Sequence, residues 1–333
     1  MAQDYAVLNH YLAPLRRHLA PRDVTELVIN RPREIAVERT GRWEWFEAPE
    51  LDEAALRPLA VAAAAFTAQD VTADAPICST VLPSGERCQI VLPPAAEHLS
   101  LTLRKPSATD LGLEAFEADG LFDAIASTPA DLDADEIALG ALRDAKDWRG
   151  FFTRAVTSRR NILISGATGS GKTTLAKGLV REIPLEERLI IIEDSRELVL
   201  PHRNVVHLLY AKDGQGLARV GAKQLLESAL RMRPDRILLQ ELRDATAFYY
   251  LRNVNSGHPG SITTIHADSA ALAFEQLTLL VKESEGGRDL ARDDIRALLH
   301  LLVDIVVQIK RVGGQFRITE VWYEPARKRA LAA

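Results

Sequence analysis

At 333 residues, with 47% hydrophobic and 26% charged positions, the chain has the composition of a globular protein long enough for two cores, which excludes a disordered or fibrous polypeptide. Its net charge of −5 gives no overall attraction for nucleic acid, so a dedicated nucleic-acid binder is not expected. The two cysteines, Cys78 and Cys88, are too few for a disulfide framework and lack the spacing of a zinc pair, so they read as reduced thiols.

Asp4, Asn9 and His10 interrupt any secretory leader, and the longest apolar run, Leu59 to Phe66, is too short to span a bilayer. A cytoplasmic protein is expected. Residues Asp4 to Leu19 carry Val7, Leu8, Tyr11, Leu12 and Leu15 at helical spacings. After Pro21-Arg22-Asp23, the stretches Val24 to Ile29, Glu34 to Glu38 and Arg42 to Phe46 read as strands, and Asp52 to Gln69 as an alanine-rich helix. Pro83-Ser84-Gly85 between two apolar stretches predicts a hairpin, and Leu99 to Leu103 adds a further strand. Together these predict a small α+β domain over residues 1–106.

Residues 107–150 change character. They are acidic (Glu114, Glu117, Asp119, Asp123, Asp131, Asp133, Asp135, Glu136) and hold two short amphipathic stretches, Leu113 to Ile125 and Ile137 to Trp148, which predicts a partly helical linker with solvated charges. Residues 151–333 then alternate strand with helix. The short apolar runs Ile162 to Ser165, Leu189 to Ile192, Val205 to Tyr210, Ile237 to Leu239 and Ile262 to Ile265 imply strands covered on both faces. The expected fold is α/β with a mostly parallel sheet. Helices are expected from Ala222 to Met232 and between Asp244 and Gly257. Val303 to Lys310 and Phe316 to Tyr323, around Gly313-Gly314, predict an antiparallel hairpin added to that sheet.

Between the first of these strands and its helix stands Gly166-Ala167-Thr168-Gly169-Ser170-Gly171-Lys172-Thr173, with Thr174 following. The spacing G-x-x-x-x-G-K-[ST] is that of a phosphate-binding loop. Glycines let successive backbone N–H groups curl around an anion, and the helix N-terminus adds partial positive charge. Lys172 is expected to reach the β- and γ-phosphates of ATP, and the Thr173 hydroxyl to ligate Mg²⁺.

In an open parallel sheet, ligands lie beyond the carboxyl ends of the strands. Polar residues that stop apolar runs are therefore drawn to the same edge as the loop. Glu241 ends Ile237-Leu238-Leu239-Gln240, Glu193 and Asp194 end Leu189 to Ile192, and His266 ends Ile262 to Ile265. A carboxylate there approaches the metal or the attacking water, and an imidazole there senses a γ-phosphate. No third ligand at a recognisable spacing supports a zinc site.

The loop, Ile191-Ile192-Glu193-Asp194-Ser195-Arg196-Glu197-Leu198, Leu230 through Arg243 and Gly257 through Ser269 resemble, in this order, the Walker A, Asp box, Walker B and His box of the type II/type IV secretion ATPase superfamily. Gly85-Glu86-Arg87, Leu92-Pro93-Pro94 and Leu103-Arg104-Lys105-Pro106-Ser107 resemble the N-terminal domain of its type IV branch, and the tetracysteine zinc module of the assembly ATPases has no counterpart. Gln240 departs from the glycine usual in the family, as does Asp244 where glycine is often found.

The resemblance implies a RecA-like P-loop C-terminal domain and a homo-hexamer with nucleotide between the two domains. It also implies ATP hydrolysis that powers substrate transfer or pilus assembly with inner-membrane partners, from a peripheral position at the cytoplasmic face of the inner membrane. Arg104, and with less support Arg87, would supply positive charge to the phosphates, with Arg231, Arg233 and Arg243 as further positions. Glu241 is expected near the metal shell and Glu193 at the attacking water, with Lys172 and the loop holding the phosphates. The rival expectations are a pilus-type or nucleic-acid motor on the same core and a switch that binds ATP without hydrolysing it.

Overall fold

The central strands of the first sheet are buried over consecutive residues, and its edge strands alternate. In a computed structural model that describes residues 2–106, 112–125, 131–211, 216–244, 246–254 and 257–332, the strands β1 (Val24–Ile29), β2 (Glu34–Arg39) and β3 (Arg42–Glu47) form a meander. β4 (Ile77–Val81), β5 (Arg87–Val91) and β6 (Ser100–Arg104) form another, and β6 pairs with β1, giving the antiparallel order β3-β2-β1-β6-β5-β4.

Two helices, α1 (Ala2–Leu19) and α2 (Glu53–Phe66), bury Leu8, Leu12, Leu15, Leu56 and Leu59 in one core with Leu27, Ile35 and Leu101 of the sheet. The Asp52 carboxylate caps α2 by accepting the Ala55 N–H. Cys78 and Cys88 are buried here as free thiols. The two helices and the antiparallel sheet make an α+β arrangement. Its unit comprises Met1–Pro129, including the short α3 (Leu113–Ala118), with the returning stretches Gly214–Val220 and Arg231–Arg233. In it Arg233 pairs with Glu38 and lies over the Trp43 ring, 5.5 Å from its centroid.

The expected linker is not one segment. The chain divides after Pro129, and α4 (Ala134–Asp144) and α5 (Trp148–Thr157) belong to the second unit, where Leu139, Phe151 and Val156 join its core. The acids of that run are exposed, apart from half-buried Asp135 and buried Glu136. Asp133 and Glu136 close a capping box on α4, and Glu136, itself buried, pairs with Arg329 at 2.9 Å, as Asp133 does with Arg160 at 3.0 Å. Residues 107–111 and 126–130 of that stretch, Ser107 among them, lie outside the described residues.

In the second unit β7 (Ile162–Ser165) pairs in parallel with β11 (Ile262–Ile265) and β12 (Ile305–Val312), and β12 turns back antiparallel into β13 (Gln315–Trp322). A second parallel group orders β8 (Leu189–Glu193) between β10 (Arg236–Leu239) and β9 (Val205–Leu209). A single parallel bridge, Glu241 with Thr264, joins the two groups. The sheet therefore reads β9-β8-β10-β11-β7-β12-β13, parallel but for its last strand.

Helices α6 (Lys172–Val180), α7 (Ala222–Ala229) and α8 (Thr246–Val254) belong to this second unit, α7 ending before the expected Met232. Residues 270–302, to which no element is assigned above, form α9 (Ala270–Glu283) and α10 (Arg292–Leu302), and α11 (Pro325–Ala332) follows the hairpin.

Asn161 pins the strand starts together. Its side-chain oxygen accepts the N–H groups of Gly260 and Ser261, its amide donates to the Leu302 carbonyl, and its backbone N–H donates to Asp304. β7, β11 and β12 thus leave one buried amide in register and deliver their opposite ends to a common edge. Arg236, fully buried, donates through its fork to both oxygens of Glu187 at 2.7 and 3.0 Å. A Cβ on Gly260, whose φ is 90°, would lie 2.6 Å from that guanidinium, so this turn requires glycine twice over.

Candidate functional site

β7 is wholly apolar up to Ser165 and wholly buried, so the chain leaves it in a defined direction, and the next residues are the glycine-rich loop. Gly169 and Gly171 stand at φ of 70° and 96°, a region costly for any side chain. A Cβ on Gly166 would come within 2.5 Å of the Ile309 carbonyl oxygen of β12. The loop then enters α6 at Lys172, whose ammonium turns back to donate to the carbonyls of Gly166 at 2.8 Å and Ala167 at 3.0 Å. Burial lowers the pKa of that ammonium, partly offset by the charge of Glu241.

Neighbouring strands are about 5 Å apart, so residues just past their ends line up in strand order. Across β8, β10, β11 and β7 these are Asp194, Glu241, His266 and the loop. The side chains form one continuous polar row. Lys172 Nζ lies 3.4 Å from His266 Nδ1, His266 Nε2 lies 2.7 Å from Glu241 Oε1, and Arg243 bridges Glu241 Oε2 at 3.1 Å to Asp194 at 2.6 Å. Thr264 Oγ1 donates to the Gln240 carbonyl and so ties β11 to the end of β10. The row lines a cleft of about 310 Å³ that also presents Thr168 and Thr173. An anion-binding loop with a buried cation, a hydroxyl and two carboxylates about one cleft is equipped for phosphate chemistry.

A family profile described as Type II/IV secretion system protein matches residues 10–309. This chain is a type II/IV secretion system protein. It is 51% identical over 342 residues to the type IV secretion system protein VirB11 of Bartonella quintana (strain Toulouse), covering 99% of this chain and 96% of that protein. It is 46% identical over 336 residues to VirB11 of Brucella suis biovar 1 (strain 1330), covering 98% and 93%. Its fold is similar to the crystal structure of the VirB11 ATPase from the Brucella suis type IV secretion system in complex with sulphate. The TM-score is 0.91 at 45% identity, over 97% of this chain and 99% of that chain. These relatives place the chain in the type IV branch.

In this secretion protein the expected residues do not all meet. Thr168, Gly169, Lys172, Thr173, Glu241 and His266 line one cleft. Thr174 is exposed on the first turn of α6. Ser170 is buried, with a hydroxyl oxygen that makes no hydrogen bond.

Glu193 does not line the cleft, which corrects its expected place at the attacking water. It is 0% exposed; Oε1 accepts the N–H groups of Glu197 and Leu198, and Oε2 lies 3.1 Å from His207 Nδ1 on β9. Both oxygens are committed to holding the strand end, and the next residue, Asp194, takes the cleft position. Arg104 ends β6 in the first unit, 67% exposed and 3.6 Å from Glu26. Of the three further arginines, Arg243 lines the cleft. His207, and Asp194 as the cleft acid, were not singled out in the sequence, where two consecutive acids look alike.

Proposed function

We propose that this chain is an ATPase of type IV secretion that hydrolyses ATP to ADP and phosphate and drives movement of the secretion apparatus. The observation that carries this reading is the row Lys172, His266, Glu241, Arg243 and Asp194 facing the phosphate loop across one cleft.

The loop and Lys172 hold the β- and γ-phosphates, the lysine exchanging its two carbonyl contacts for phosphate oxygens. Glu241 takes the proton of the attacking water, because it is the cleft carboxylate next to an imidazole, whereas Glu193 is sealed. His266, between Glu241 and Lys172, donates to the γ-phosphate and reports its presence. Arg243 holds the two acids apart and in line.

Among the described residues no group of three or more His, Cys, Asp or Glu side chains would hold a metal alone. That suits magnesium, which keeps waters and phosphate oxygens and asks one or two oxygens of the protein. Thr173, with the cleft carboxylates Asp194 and Glu241, supplies such oxygens. When bound, the ion neutralises charge on the β- and γ-phosphates.

The working form is a homo-hexamer docked peripherally at the cytoplasmic face of the inner membrane, on membrane components of the apparatus. The relatives' names, type IV secretion system proteins, support the association with such an apparatus, and no described helix is long and apolar enough to cross a membrane. Phosphate release measured with solution mass on one sample tests enzyme and ring together. Steady turnover from a particle six times the chain mass is expected; no phosphate release would overturn the enzyme, and a monomer at working concentration would overturn the ring.

A further inference from the structure

We infer that Phe316, on β13, is the platform on which the nucleotide base stacks. The inference rests on the nucleotide reading of the loop. Its ground is the side of the loop that the row above leaves free.

The sheet order β10-β11-β7-β12-β13 fixes a direction. Glu241 and His266 lie on the β10 and β11 side of the loop, so the terminal phosphate points that way. The sugar and base must leave on the other side, toward the β12–β13 hairpin. There the hairpin lies against the loop at both ends. Ile309 of β12 meets Gly166, and the Phe316 ring lies against Gly171, where an added Cβ would find the ring atoms Cγ, Cδ1 and Cδ2 at 3.0, 3.1 and 3.3 Å. Three ring carbons at nearly equal distance mean that the ring presents a face, not an edge, to the last glycine before Lys172.

The pairs Ile309 with Ile318 and Arg311 with Phe316 are in register, so these four residues share one face of the hairpin. Ile309 is buried, yet Phe316 is 49% and Ile318 41% exposed. An aromatic ring and a branched aliphatic, open beside the mouth of a phosphate loop, suit a flat heteroaromatic base. Stacking needs only a π-face. It therefore selects a nucleotide over a bare polyphosphate, and a purine over a pyrimidine through the larger overlap. Gly171 is glycine for two reasons: its left-handed φ, and the ring that lies where a side chain would project.

The test compares ADP, CDP and inorganic pyrophosphate binding to the full chain by calorimetry, for wild type, Phe316→Ala and Phe316→Tyr. Phe316→Ala should weaken ADP about tenfold, leave pyrophosphate within twofold, and erase the preference for ADP over CDP. Phe316→Tyr should restore all three, which also answers a folding defect in the alanine variant. Equal loss of ADP and pyrophosphate would overturn the inference by showing that the ring only props Gly171, and so would unchanged ADP binding. If wild type binds neither ADP nor pyrophosphate, the nucleotide reading of the loop itself has failed, and the base platform falls with it.

Discussion

His266 Nε2 lies 2.7 Å from Glu241 Oε1, while Oε2 of the same carboxylate faces Arg243 at 3.1 Å. The acid is thereby aimed along the cleft by one group on each side. Glu241→Gln keeps the shape and removes the basicity. It should lower turnover by about 10²- to 10⁴-fold while nucleotide affinity stays within a few-fold. Phosphate release and ADP titration on the same variant check this, and turnover within tenfold of wild type would remove Glu241 from the water-activating role.

His266→Ala takes away the donor between Glu241 and Lys172. The imidazole faces the terminal-phosphate side of the loop, so affinity for ADP should hardly move. Turnover should fall by about 10²-fold, the cost of deleting one positioned donor to developing charge. Parallel loss of ADP binding would mean that the ring merely supports the loop.

Lys172→Ala should abolish turnover, with ATP binding too weak to saturate. The buried ammonium also predicts a pH effect. Its pKa is lowered from the ordinary lysine value of 10.5 by desolvation, so its charge fades earlier than usual as pH rises. A phosphate beside it favours the charged form, hence ATP uptake in alkaline solution draws in a proton and KM for ATP should climb with pH. A KM flat up to the ordinary lysine value would contradict this.

Glu187→Ala leaves the fully buried guanidinium of Arg236 without its fork partner. The cost should be about 3–5 kcal/mol, read from the denaturant midpoint. Replacing the pair together, Glu187→Leu with Arg236→Met, should recover most of that loss, because the unpaired charge and not the missing attraction dominates it.

His202 is buried with Nε2 donating to the carbonyls of Ile183 and Pro184, both at 3.1 Å, and its other ring nitrogen has no partner. Desolvation lowers its pKa below the ordinary 6.5, opposed in part by its hydrogen bonds to the Pro184 and Ile183 carbonyls and by the charge of Glu187. The unfolded chain therefore takes up a proton near 6.5 that the folded chain refuses until lower pH. Stability is complete above 6.5 and is lost as pH falls below it. The slope from this group is at most about 1.4 kcal/mol per pH unit. His202→Gln should flatten the fall of the melting temperature between neutral and mildly acid solution; an unchanged slope would place the titration elsewhere.

Local sequence determined the parts that local physics governs. The phosphate loop was legible because its geometry needs glycine and lysine at set spacings. The strands β7, β8, β10 and β11 were legible because short runs dominated by Ile, Leu and Thr, each stopped by polar residues, fit a strand covered on both faces. With the loop marking one edge of the sheet, Glu241 and His266 could be placed at that edge from their position after those runs.

What folding alone decided depends on neighbours distant in the chain. Between Glu193 and Asp194, pattern offers no choice: a strand buried on both faces hides the alternation that would say which acid faces the cleft. His207, on the adjacent β9, and the N–H groups of Glu197 and Leu198 capture the first acid and leave the second free to meet Arg243. Glu136 of α4 looked solvated until Arg329 came to it, and Phe316 looked like one more strand residue until β12 laid it against Gly171. Each of these turns on a partner supplied by another strand or helix, and sequence spacing carries no record of which partner arrives.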